Sequence, residues 1–232
     1  MYIPKTKRIL TVCGHYGSGK TEAAVSLAFA RRRANPEIPL AIVDLDIVNP
    51  YFRSRERRDE LARVGVQVYG SIYKGDIAAE IPALGADAKT PIENPDTDVI
   101  IDCGGNNAGA NVLNQFSKLL NEDNSDMAVV VNFNRFETRT VEAAAEHIAA
   151  IEAVTGLAAR YIINNTHLLT ETTAETIAAG HALAVKTAAL TKKELLMTTY
   201  PEKYVKLTDI AVLTDRLFPV GMHMRETWHD VR

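Results

Sequence analysis

The stretch Gly14-His15-Tyr16-Gly17-Ser18-Gly19-Lys20-Thr21 constrains this chain more than any other feature. It satisfies the spacing G-x-x-x-x-G-K-[ST], and it stands directly between an apolar run, Ile9 to Cys13, and a helical pattern, AAVSLAFARRR, at residues 23–33. A strand, a glycine-rich turn and a helix in that order form a loop for nucleotide phosphates. Glycines let backbone N–H groups point at the phosphates, and the helix N-terminus adds positive partial charge. Lys20 reaches the outer phosphates and the Thr21 hydroxyl holds Mg²⁺. The expected nucleotide-binding set is therefore Gly14, His15, Tyr16, Gly17, Ser18, Gly19, Lys20 and Thr21. Arg31, Arg32 and Arg33, which close the helix, read as solvated charges complementing its dipole.

The rest of the chain alternates short apolar runs with longer helical patterns. Strands are expected at Ile9 to Cys13, Leu40 to Asp44, Val66 to Tyr69, Val99 to Asp102, Ala128 to Val131, Tyr161 to Ile163 and Leu195 to Thr199. The clearest helix is Thr138 to Thr155, with Val141, Ala144, Ala145, Ile148 and Ile151 on one face and Gly156 as its stop. Apolar strands separated by helices imply an α/β fold: a three-layer sandwich around a mostly parallel central sheet. With 232 residues, 47% of them hydrophobic, the chain can bury a full core, and it reads as a single nucleotide-binding domain over residues 1–232. Pro82 to Asp98, with Pro82, Gly85, Pro91 and Pro95, reads as a long loop inside that domain.

Two further constellations carry carboxylates. In AIVDLDIVNPYFR, residues 41–53, Asp44 and Asp46 stand at the C-terminal end of a strand, where ligands bind in an open parallel sheet. There they face the phosphate loop, one able to support Mg²⁺ and the other to position water. In DVIIDCGGNNAG, residues 98–109, an apolar run delivers Asp102 at its end, the Walker B pattern that holds Mg²⁺ through a water. The following Gly104-Gly105 pair allows close backbone approach to a γ-phosphate. Lys20, Asp44 and Asp46 are thus the catalytic candidates, and Thr21, Asp44 and Asp102 the metal candidates.

A phosphate loop, then a D-L-D strand end followed by Asn49-Pro50, then an I-I-D-x-G-G strand end, in this order, resembles the MinD/ParA/CobQ-type nucleotide-binding family of P-loop ATPases. The resemblance spans Ile9 to about Pro201. It implies the P-loop NTPase fold, Lys20 on the phosphates, Thr21 on Mg²⁺, Asp46 aligning the attacking water, Asp44 near the metal and Asp102 as Walker B. It also implies ATP and ADP as ligands, a partner protein controlled through the segment Asp46 to Arg53, and possible homodimerisation. The chain departs from the family's MinD-like branch at the second loop position, where that branch carries a signature lysine and this chain has His15. In such proteins the base-reading loop follows the strand at Tyr161, here Asn164-Asn165-Thr166-His167. Asn164 and Asn165 are accordingly expected at the base, and the lack of a carboxylate there favours ATP over GTP.

A net charge of −3 gives no general field for nucleic acid or an anionic membrane, and neither partner is expected. Two cysteines, Cys13 and Cys103, cannot form a disulfide framework, which suits a cytoplasmic protein. The resemblance places the strands they end side by side, and they read as buried small residues rather than a redox pair. Met222, His223, Met224 and His229 read as an ordinary tail, and His147 and His181 as surface or packed residues. Thr191-Lys192-Lys193-Glu194 reads as a surface charge cluster, and Arg53, Arg55, Arg57 and Arg58 as a solvated face that could meet a partner. Two rival classes remain: an ATP-using small-molecule kinase or ligase resembling dethiobiotin synthetase, and a DNA- or membrane-associated positioning ATPase. The missing arginine-rich lid opposes the first, and the acidic balance and a poorly amphipathic C-terminus broken by Pro219 and Gly221 oppose the second.

Overall fold

A computed structural model of the chain describes residues 2–46, 57–70, 88–105 and 112–224. Eight strands form one sheet in the order β3-β2-β4-β1-β5-β6-β7-β8. They are β1 (Ile9–Gly14), β2 (Leu40–Asp44), β3 (Val66–Tyr69), β4 (Asp98–Asp102), β5 (Ser125–Val131), β6 (Tyr161–Asn164), β7 (Glu194–Pro201) and β8 (Leu217–Val220). Every pairing is parallel.

Alternation along the strands sorts the core into two faces. Leu10, Val12, Ile42, Ile100, Ala128 and Val130 pack with Ala24, Val25, Leu27 and Ala28 of α1 (Lys20–Ala34) and with Leu61 of α2 (Arg58–Arg63). On the opposite face Ile9, Val43, Val99, Ile101 and Val129 pack with Ala144, Ile148 and Ile151 of α3 (Val141–Thr155) and with Ala184 and Ala188 of α4 (Ala174–Thr191). The three-layer α/β sandwich expected from the sequence is therefore present, with a sheet that is parallel throughout. At the far edge Ile177, Tyr200, Val205 and Leu217 form a smaller cluster with Ile210 of α5 (Leu207–Ile210).

The topology decides where a ligand can sit. From β1 the chain moves outward to β2 and β3, returns through β4, and then continues on the other side of β1 at β5. That reversal opens a crevice at the C-terminal ends of the central strands. In register, Asp44 pairs with Asp102, Asp102 with Val12, and Gly14 with Val130, so both acidic strand ends lie level with the start of the phosphate loop.

Four features differ from the expectations. An eighth strand, β8, joins the seven expected; its Pro219 lacks an N–H donor, and such a residue is tolerated on an edge strand. Residues 88–93, expected inside a long loop, are helical, with Ala88 and Ile92 in the core. Helix α3 starts at Val141 rather than Thr138, because Phe136–Thr138 form a tight turn and the Thr140 hydroxyl accepts from Ala143 N–H as the cap. Arg31 is not solvated: it is buried, donates to the Thr6 hydroxyl, and burial lowers its pKa against the opposing charges of Asp98 and Asp126.

The C-terminal residues 221–224 are fastened to α1. Both Glu22 carboxylate oxygens accept backbone N–H groups, from His223 and Met224, each at 2.8 Å. Ser26 Oγ accepts from Gly221 N–H at 3.2 Å, and the His223 ring stacks on Phe29 at 4.5 Å. His229 lies outside the described residues, as do Arg53 and Arg55 of the basic stretch. Arg57 pairs with Glu60 at 3.0 Å and Arg58 donates to Gly70 O at 3.3 Å. Lys193, expected in a surface cluster, instead ties Glu152 of α3 to the β6–β7 edge through a 2.7 Å ion pair and a bond to Ala159 O. No helix among the described residues is long and apolar enough to cross a membrane.

Candidate nucleotide site

The phosphate loop runs from the end of β1 to the first turn of α1 and is held from two sides. Ser18 N–H closes it onto His15 O at 3.0 Å, and Ala23 N–H donates to Gly19 O at 3.0 Å as the helix begins. Gly19 is left-handed, at φ 84°, and a Cβ there would lie 2.1 Å from Asn165 Nδ2. Only glycine fits. The same Nδ2 donates to Ser18 O at 2.7 Å, while Asn165 Oδ1 accepts from the Thr199 hydroxyl of β7. On the other side Gly105 packs so closely that a Cβ on it would come 1.9 Å from Gly14 O. The segment after β4 therefore lies directly against the mouth of the loop.

Beneath the loop sit the carboxylates. In D-L-D the two acids share one face of the strand, while Leu45 between them points into the opposite core. Lys20 Nζ pairs with Asp46 Oδ2 at 2.7 Å with both side chains buried, and Asp46 N–H donates to Asp44 Oδ1 at 3.1 Å. Burial alone would lower the Lys20 pKa, but the charges of Asp102 and Asp46 and the hydrogen bond to Asp46 hold it above its ordinary value. Asp102 is fully buried. Burial, reinforced by Asp44 and Asp46 against Lys20, pushes its pKa up to about 8. The Thr21 hydroxyl lies near enough to favour the charged form, yet among the described residues neither Asp102 oxygen has a hydrogen-bond partner of good geometry.

Buried carboxylate oxygens without partners ask for a cation or a proton. A hard divalent cation shared with phosphates suits this donor set, with Thr21 and Asp102 in place and Asp44 beside them. Among the described residues no group of three metal-ligating side chains would hold such an ion unaided. Mg²⁺ fits here as a companion of a polyphosphate, since it keeps few protein ligands.

The Asn164-Asn165-Thr166-His167 stretch follows β6, and its members go to different places. Asn165 braces the loop as described. Asn164 is buried between neighbours: its Nδ2 donates to Thr198 Oγ1 at 3.4 Å and its Oδ1 accepts from Thr166 Oγ1 at 2.6 Å. His181 also meets that Thr198 hydroxyl, at 2.9 Å. His167 is buried, its Nε2 has no hydrogen-bond partner among the described residues, and burial lowers its pKa to about 4. A native pKa below the unfolded value near 6.5 means that the unfolded chain binds more protons between those values. His167 therefore lets stability hold above about pH 6.5 and drains up to about 3 kcal/mol as pH falls towards 4. Urea titrations across that range should show the slope, and His167→Gln should flatten it; an identical slope in the variant would refute the assignment.

The His15 imidazole is engaged by its neighbours. Its Nδ1 lies 2.8 Å from Tyr16 O, which can only accept, so Nδ1 carries the proton. Glu137 Oε2 is 4.0 Å from the same nitrogen, and the ring meets His147 edge-on with centroids 5.5 Å apart. Burial lowers the His147 pKa, the charge of His15 adds to that, and Glu137 opposes it. Tyr16 is exposed.

Several residues at the site carried no sequence signal: Thr199, which steadies Asn165, Glu22, which holds the C-terminal residues, and Arg135, which reaches the loop from beyond β5. Position after a parallel strand is the only cue that could have raised Arg135. Cys13 and Cys103 follow the paired Val12 and Asp102, face the same core and are free thiols. Their mutual hydrogen bond and burial push the Cys103 thiol up, which makes it a weak nucleophile.

No protein-family model and no curated protein matches the chain. Solved structures do. FtsY from Mycoplasma mycoides matches with TM-score 0.54 and 16% identity over 87% of this chain and 63% of that one. Signal recognition particle 54 kDa protein from Aeropyrum pernix, solved in complex with GDP, gives TM-score 0.54 and 22% identity over 84% and 42%. Cell division protein FtsY from Thermotoga maritima gives 0.53 and 19% over 87% and 64%. The chain thus spans 42–64% of the length of these neighbours. Its eight-stranded parallel sheet, flanked by helices on both faces, is the α/β fold of the P-loop nucleoside triphosphatases.

Proposed function

We propose that this chain is a Mg²⁺-dependent ATPase that acts as a nucleotide-controlled switch on a partner protein. The observation that carries the reading is the buried Lys20–Asp46 pair beneath a glycine loop that Asn165 braces at Ser18 O. In this arrangement the lysine is held by a carboxylate. Arriving phosphates compete for the Lys20 ammonium and leave Asp46 with a lone pair to orient the attacking water. Thr21 and Asp102, with Asp44 beside them, would hold Mg²⁺, which would offset negative charge on the phosphates. Asp46 also leads into residues 47–53, which lie outside the described residues. A carboxylate that trades partners with the nucleotide state is a local event able to reset that segment and whatever docks on it.

ATP is the nucleotide proposed, because residues 164–167 offer no carboxylate to a guanine. The GDP in the Aeropyrum pernix structure makes GTP the competitor to test. Kinship with the MinD/ParA/CobQ type rests on the order of the three motifs alone, since the neighbours named above are of another kind. The reading includes a single domain over residues 1–232, a cytoplasmic setting and a possible homodimer. Calorimetric titration with Mg-ATP and Mg-GTP, beside measured phosphate release, tests it. Tighter ATP binding with slow turnover is expected; tighter GTP binding would change the nucleotide, and binding of neither would end the proposal.

Because His15 is engaged by Tyr16 O and flanked by Glu137 and His147, His15→Ala should leave hydrolysis within about twofold of the parent. Turnover measured from pH 6 to 8 checks this. A large loss that follows imidazole protonation would give His15 a part in the chemistry.

A further inference from the structure

The described site is short of positive charge for a polyanion. Asp44, Asp46 and Asp102 surround Lys20, and all four side chains are buried. Mg²⁺ answers part of that deficit. A second fixed cation stands at the tip of the loop: Arg135, whose Nε donates to Gly17 O at 2.9 Å. Its Cζ and Nη2 lie 3.0 Å from the point where a side chain on Gly17 would begin, so the guanidinium is stacked against the loop backbone. Among the described residues neither terminal nitrogen has a hydrogen-bond or ion-pair partner.

The segment that presents Arg135 is stiff. Asn132, buried just after β5, accepts from Arg135 N–H and from the Thr138 hydroxyl through its carbonyl, at 3.0 and 2.7 Å. Its side chain accepts from Asn134 N–H at 3.0 Å, and Thr166 Oγ1 accepts from Phe133 N–H at 3.1 Å. A guanidinium fork pre-placed on a rigid turn, with both terminal nitrogens unspent, is suited to bind phosphate oxygens.

We infer that Arg135 is a nucleotide-binding residue that contacts the phosphate chain in cis, from over the tip of the loop. The inference rests on the nucleotide reading above and adds to it a residue outside the three motifs. Lys20 works from beneath the loop, and Arg135 from its rim.

The test is calorimetric titration of Mg-ATP, Mg-GTP and inorganic tripolyphosphate into the parent protein, Arg135→Gln and Arg135→Lys at low and high salt. Arg135→Gln should weaken Mg-ATP and tripolyphosphate by about tenfold to a hundredfold at low salt, the loss of one charge-assisted contact. The loss should shrink as salt rises, and Arg135→Lys should recover part of it. Unchanged affinity in Arg135→Gln would overturn the inference while leaving the nucleotide site standing. So would a loss that is equal at both salts and equal in Arg135→Lys, since it would make Arg135 a brace for Gly17 O alone. A parent protein that binds none of the three ligands would overturn the nucleotide reading itself, and this inference with it.

Discussion

Lys20→Ala should abolish measurable nucleotide binding. Lys20 is the one loop residue that places a full charge beside the outer phosphates, and its ammonium is buried where water cannot stand in for it. The substitution also strips Asp46 of its ion-pair partner, and breaking a buried pair from one side costs about 3–5 kcal/mol unless the orphaned acid takes up a proton. Calorimetry with Mg-ATP should therefore show no heat of binding, while circular dichroism shows the sheet and helices retained at a lower unfolding temperature. Affinity equal to that of the parent would remove the phosphate-loop assignment.

Asp46→Asn separates binding from chemistry. Asparagine keeps the size of the side chain and an oxygen to accept from Lys20, but it is a poor base. Mg-ATP affinity should stay close to the parent value while hydrolysis slows by about 10²-fold or more. Single-turnover phosphate release beside equilibrium binding measures the two quantities independently. Equal loss of both, or of neither, would make Asp46 a structural partner of Lys20 and Asp44 only.

How far the sequence could be read followed from the range of the forces involved. The loop, D-L-D and I-I-D were legible because each is local: a strand's alternation puts Asp44 and Asp46 on one face, and a glycine pattern marks a backbone turn. Their convergence was legible through topology, since parallel strands around a reversal point bring their ends together. The contacts of Asn165, Thr199 and Arg135 with each other or with the loop join residues 34, 147 and 118 positions apart, and no spacing rule encodes them. Strand β8 was not read because it is a four-residue edge strand that contains a proline, a pattern too short and too broken to stand out. Arg31 misled because helix-end charge says nothing about which way a side chain faces.

The grip of Glu22 on residues 221–224 has a mechanical meaning. Glu22 stands two positions beyond Lys20, so the helix that begins with this lysine is pinned at its N-terminal turn to residues 223 and 224 and, through Ser26 and Gly221, to the end of the far edge strand β8. Its apolar side is meanwhile locked to the central strands. Such a helix is a fixed element of the fold. Under the proposed function, motion driven by the nucleotide would then be expressed on the opposite flank, at Asp46 and its exchangeable pair with Lys20.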